Sequence, residues 1–87
     1  MKTIWKWKLG PTTTIDIPWD SVLLTVHEQH GDPHLWALVN PEDRTCSRTF
    51  RVYGTGCDMP DNPGKYIGTV HMHGGSLVFH VFEANNR

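Results

Sequence analysis

Histidines carry the densest chemistry in this chain. In HMHGGSLVFHVFE, residues 71–83, His71, His73, His80 and Glu83 surround Gly74-Gly75 within an otherwise apolar run. If Gly74-Gly75 is a two-residue hairpin loop, His73 faces Ser76, His71 faces Val78 and Thr69 faces His80. The three imidazoles then share a face, with His71 and His80 diagonal neighbours roughly 7–8 Å apart. Two nitrogens so placed can meet one zinc, which takes them at about 2.0–2.1 Å and usually wants four donors. Glu83 falls on the opposite face in this register and does not complete the set. His27, His30 or His34 would have to arrive from another hairpin. A zinc site of His71, His73 and His80 is thus the alternative to an exposed turn pair with a hydrogen-bonded, part-buried His80.

Other groups offer less. Cys57 follows Gly54-Thr55-Gly56, but no nucleophile elbow or cysteine-protease signature surrounds it, so no catalytic residue is assigned. Glycines in YGTG and YIGT mark bends, bulges or close backbone approaches, and beside them Arg51 and Tyr53 offer charge and a stacking face. They do not form a phosphate-binding loop, which needs G-x-x-x-x-G-K-[ST] at a helix start. Trp36, Tyr53 and Tyr66 with Lys6, Lys8, Arg48 and Arg51 hold the ingredients of a single-strand nucleic-acid surface. A formal net charge of −1 argues against that use.

What positions these groups is a period of two almost everywhere. TIWKWKL puts Trp5, Trp7 and Leu9 on one face and Lys6 and Lys8 on the other. TIDIP reads as a short edge strand ending at Pro18. SVLLTVHEQH, GD and PHLWALVN read as a hairpin turning at Gly31-Asp32, with Gln29 facing His34, His27 facing Trp36 and Val26 facing Ala37. Val22, Leu24, Val26, Leu35, Ala37 and Val39 then share a core face. Leu23, His27, Trp36 and Leu38 form an opposite face too apolar to be simply wet. TCSRTFRVYGTG directs Phe50 and Val52 inward and Arg51 and Tyr53 outward. CDMPDNPG is a loop, and SLVFHVF, apolar on both faces, suits a central strand.

Five or six strands joined mainly by short turns predict one all-β domain over residues 1–87. The form expected is a small antiparallel barrel or a two-layer sandwich. At 87 residues the core is near the lower limit of self-sufficiency, so four tryptophans are expected to supply two or three core anchors and one surface group. Neither an export-signal core nor a membrane-length apolar run is present. A cytoplasmic location and free thiols at Cys46 and Cys57 are therefore expected.

Together KTIWKWKL, LWALVNPE, RTFRVYGTG and KYIGTVHMHGGSLVFHVFE resemble a small domain family of unknown function from bacteriophages and prophages, across Lys2 to Glu83. The resemblance implies a phage accessory protein acting in the host cytoplasm by stoichiometric binding, without enzymatic activity. It implies no site residues. The expected partner is a host protein, as for an anti-CRISPR or other anti-defence inhibitor. The alternatives are a sponge for a nucleotide second messenger and a metal-binding protein or metal-dependent enzyme. Trp36, Arg51, Tyr53 and His80 are the expected binding residues, no cofactor is expected unless zinc, and apolar residues on both sheet faces favour a homo-oligomer.

Overall fold

The computed structural model describes residues 1–85. Its seven strands are β1 (Thr3–Lys8), β2 (Thr12–Pro18), β3 (Val22–Gln29), β4 (Asp32–Val39), β5 (Thr45–Gly54), β6 (Lys65–Met72) and β7 (Leu77–Glu83). No α-helix occurs among the described residues, and only a short 3-10 turn, His73–Gly75, interrupts the strands. The strands form two antiparallel sheets, ordered β1-β4-β3 and β2-β5-β7-β6. The sheets do not close on each other, so the architecture is the sandwich. Seven strands form, more than the five or six expected, because TTTIDIP is a full strand that pairs with β5 from Thr12 to Pro18.

The last hairpin has the expected register, with Thr69 opposite His80 and His71 opposite Val78. β7 lies between β5 and β6, as its two apolar faces require. Its turn is longer than two residues. His73, Gly74 and Gly75 have φ of 51°, 67° and 95°, and Ser76 closes the turn by donating its N–H and hydroxyl to the His73 carbonyl. His73 therefore leaves the strand face on which it was expected.

The β3–β4 hairpin turns one residue earlier than expected, at His30-Gly31. Both have positive φ, 54° and 85°, the left-handed pair whose twist matches that of the flanking strands. Glu28 Oε2 accepts the Gly31 N–H at 2.7 Å and holds the corner. His27 consequently opposes His34 and Val26 opposes Leu35. The faces of β4 are unaffected, because each partner shifts by two positions.

A bulge between Leu23 and Thr25 then reverses the start of β3. An extra residue in one strand exchanges inward for outward side chains beyond it. Leu23, expected outside, packs against the core. Val22 and Leu24, expected inside, stand 51% and 48% exposed.

The core lies between the sheets and is built of aliphatic residues with one phenylalanine. Phe50, Ile17, Leu35, Val39, Val70 and Val81 are its largest fully buried apolar groups apart from Pro18. The tryptophans do not anchor it: Trp7 and Trp36 are part-buried, while Trp5 and Trp19 are exposed. Trp5 and Trp7 point inward but stand on β1, a sheet edge, where they meet each other edge-on at 6.2 Å between centroids. The sheets touch at Gly68, where a methyl group would stand 2.6 Å from Val26 Cγ2. Its bare Cα admits a stiff, buried valine.

Candidate functional site

Alternation along β5, β7 and β6 builds the first candidate surface, on the outer face of the four-stranded sheet. The ladders set Tyr53 beside His80, Arg51 beside Phe82, Tyr66 beside Phe82 and Thr69 beside His80. Phe82 is the hub, meeting Tyr53 and Tyr66 edge-on at 5.9 and 5.5 Å between centroids. Such T-shaped contacts suit the positive edge and negative face of aromatic rings. Arg51 is exposed beside this cluster. Three of the expected binding residues, Arg51, Tyr53 and His80, thus converge, and Phe82 and Tyr66 join them.

His80 is held at both ring nitrogens. Nε2 is 2.7 Å from the Thr55 hydroxyl and Nδ1 is 3.1 Å from the Thr69 hydroxyl, which in turn bonds the Tyr66 hydroxyl. A ring nitrogen hydrogen-bonded to a hydroxyl gives a metal its lone pair only if that bond opens. His71 lies diagonal to His80 on the same face, as expected, whereas His73 sits in the turn. Among the described residues no group of three or more His, Cys, Asp or Glu side chains stands together to hold a metal. Cys57 is exposed in the turn after β5, its N–H donated to the Gly54 carbonyl, and Cys46 is part-buried; both thiols are free.

The outer face of the three-stranded sheet is the second surface. Register aligns Ile4, Leu38 and Val22 in one cross-strand row, and Lys6, Trp36 and Thr25 in the next. Ile4, Val22 and Leu24 are 56%, 51% and 48% exposed, around part-buried Trp36 and Leu38. Between Ile4, Leu24, Trp36 and His27 runs an open groove of about 490 Å³. Beside Trp36, His34 is 9% exposed, with Nδ1 3.0 Å from the Asp32 carbonyl and its ring 5.9 Å from the indole. The Lys6 ammonium donates to Gln29 and that of Lys8 lies 3.4 Å from Asp32, giving the rim polar partners. Trp36 is therefore on a different surface from the other three expected residues. Reading β3 by strict alternation chose Leu23 for this patch; the bulge substitutes Val22 and Leu24.

Nucleic-acid ingredients are divided by the same geometry. Lys6 and Lys8 flank Trp36 on one sheet, while Arg51 flanks Tyr53 and Tyr66 on the other. Arg48 points between the sheets, where its guanidinium grips Glu83 through Nε at 2.7 Å and Nη2 at 2.8 Å. With side chains 23% and 17% exposed, this is a part-buried bidentate pair. It raises the Arg48 pKa above its ordinary value, chiefly through the hydrogen bond to Glu83. Alternation already turns both residues inward, Arg48 with the parity of Phe50 and Glu83 with that of Val81, but only the pairing of β5 with β7 brings them together. Reading arginines as surface charge concealed it.

Two further clefts lie between the sheets. One, of about 310 Å³, is apolar and opens near Leu9, Val52, Met72 and Phe79. The other, of about 400 Å³, opens near Arg48, Lys65 and Tyr66. Arg51, Tyr53 and His80 line neither of these nor the outer groove. No helix among the described residues is long and apolar enough to cross a membrane.

No curated protein and no solved structure matches the chain. One sequence family does, over residues 1–87, described as Domain of unknown function (DUF7352).

Proposed function

We propose that this chain, which belongs to that family of unknown function from residue 1 to residue 87, is a non-enzymatic binding protein that docks a partner protein on the outer face of its three-stranded sheet. One observation carries the reading: Ile4, Val22 and Leu24 each expose about half of their surface on a single sheet face around Trp36. Clustered aliphatic exposure around an indole supplies the apolar centre of a protein interface, and the lysines beside it supply a polar rim. The resemblance to phage and prophage domains supports a host partner met in the bacterial cytoplasm. Inhibition of a defence system is the form such stoichiometric binding takes. A second copy of the chain is the other natural occupant of the same face.

Tagged protein is incubated with host lysate, and what it retains is identified by mass spectrometry, with light scattering on the purified chain. The wild type is expected to retain a host protein in fixed stoichiometry. Ile4→Asp with Leu24→Asp is expected to lose it while melting normally. Equal retention by the charged variant would refute the docking face.

A second reading has its own observation, the convergence of Arg51, Tyr53 and His80 with Phe82. An arginine beside aromatic faces and hydroxyl groups suits the base and phosphate of a nucleotide messenger. Cyclic dinucleotides and ADP-ribose are then expected to raise the melting temperature of the wild type and not of Arg51→Ala. Absence of any shift at millimolar nucleotide would dismiss this reading.

A further inference from the structure

β3 ends one sheet and β6 ends the other, and the two edges run side by side with no hydrogen-bonded ladder between them. They touch where Val26 meets Gly68. Beyond that contact each edge carries a bulge, at Leu23/Thr25 and at Tyr66/Gly68. There the seam opens into the cleft of about 400 Å³, with residues 21–25 on one wall and residues 65–67 on the other. Bulges end regular pairing and turn side chains aside, and edge strands present a row of unpaired backbone groups.

Arg48 reaches into this cleft, whereas Glu83 is not among its lining residues. The carboxylate holds Nε and Nη2 and leaves the N–H groups of Nη1. A guanidinium already fixed in a fork has little rotamer freedom left to lose on meeting a second acceptor. Lys65 stands opposite Glu83 in the ladder and also lines the cleft. Two cations beside one carboxylate give the cleft a net positive charge at its rim. Val22, Leu23 and Ile67 line the remaining wall, so the site is half apolar, and Glu83 nearby disfavours a doubly charged anion.

We propose that this seam binds an extended peptide segment that presents a carboxylate. The carboxylate takes Arg48 Nη1 and Lys65, and the peptide backbone adds to a free strand edge of β3 or β6. Val22 and Leu24 border both this cleft and the outer docking face, whereas Arg48 and Lys65 line the cleft and not the outer groove, so variants of Arg48 test the seam apart from that face.

Backbone amide NMR of the full chain tests it. The probes are a capped hexapeptide of alternating valine and glutamate, its valine–glutamine counterpart, and sodium acetate. The glutamate peptide is expected to shift amides of residues 22–25 and 65–67 saturably, at least tenfold tighter than the glutamine peptide. Acetate is expected to bind far more weakly than either. Arg48→Lys, which keeps the charge and loses the fork, is expected to weaken the glutamate peptide at least tenfold. Should that variant not fold, Arg48→Leu with Glu83→Leu replaces the pair by apolar groups, a change that part-buried ion pairs tolerate. It is expected to abolish the preference for glutamate. Equal binding of the two peptides, acetate binding as tightly as the peptide, shifts confined elsewhere, or a preference that survives loss of Arg48 would each overturn the proposal.

Discussion

A Phe50→Ala chain is expected to lose about 3–5 kcal/mol of folding free energy. Phe50 is fully buried and is the largest such side chain in the core. It stands on β5 between β2 and β7, opposite Thr13 and Glu83. Truncation removes its transfer free energy and leaves a cavity that two pinned sheets cannot fully collapse. It also removes the ring 6.0 Å beneath the Arg48 guanidinium, which helps to seat the Arg48–Glu83 pair. At roughly 0.05–0.15 kcal/mol per residue the whole domain has about 4–13 kcal/mol to lose, so this one truncation removes a large share of it. Guanidinium chloride unfolding should show a midpoint far below that of the wild type at an unchanged slope. A loss under about 1 kcal/mol would mean that Phe50 is not the centre of the core.

Gly64→Ala is expected to cost about 3 kcal/mol or more, for a different reason. Gly64 ends the CDMPDNPG loop at φ +98°, and a methyl group there would stand 2.0 Å from the Glu83 carbonyl oxygen and 2.9 Å from its carbon. The obstruction is backbone, so no side chain can swing aside, and relief requires β6 to move off β7. Gly56→Ala is the control. It has a similar φ, +87°, but nothing lies within 4 Å of its added carbon, so only the left-handed backbone is penalised, at about 1–2 kcal/mol. For a chain of this length 1 kcal/mol is about 4–8 °C of melting temperature. Gly64→Ala should therefore melt at least ~4 °C below Gly56→Ala. Equal melting temperatures would show that the loop does not press on β7.

These two sites also mark what the sequence made legible. Phe50 was placed inward by alternation alone, because β5 runs ten residues without an irregularity in its pairing. The β6–β7 register followed from the Gly-Gly turn, and so did the common face of His71 and His80. The first failure is local: a period of two is read correctly only until an extra residue enters. The bulge at Leu23/Thr25 moved Leu23 into the core and Val22 and Leu24 out, redrawing the patch around Trp36. Turn chemistry was the second blind spot, since His30 and His73 adopt the positive φ usually left to glycine or asparagine. The Arg48–Glu83 pair and the seam between β3 and β6 needed the sheets to be assembled, because their parts come from strands far apart in the chain.

The same assembly decides how the candidate surfaces differ. The face around Phe82 is braced by hydroxyl contacts to both nitrogens of His80 and by two ring contacts to Phe82. The face around Trp36 leaves aliphatic groups without such partners. Burial of exposed aliphatic area around an indole is a strong source of protein–protein affinity, and centrally placed tryptophans are frequent hot spots. That difference is why the three-stranded face is proposed as the docking surface.

Titration calorimetry of the host protein retained by the wild-type chain tests this assignment most directly. Ile4→Asp with Leu24→Asp is expected to raise the Kd at least 30-fold, about 2 kcal/mol. Arg51→Ala with Tyr53→Ala is expected to leave it within twofold. The reverse outcome, a partner indifferent to Ile4 and Leu24 and lost with Arg51 and Tyr53, would contradict the account.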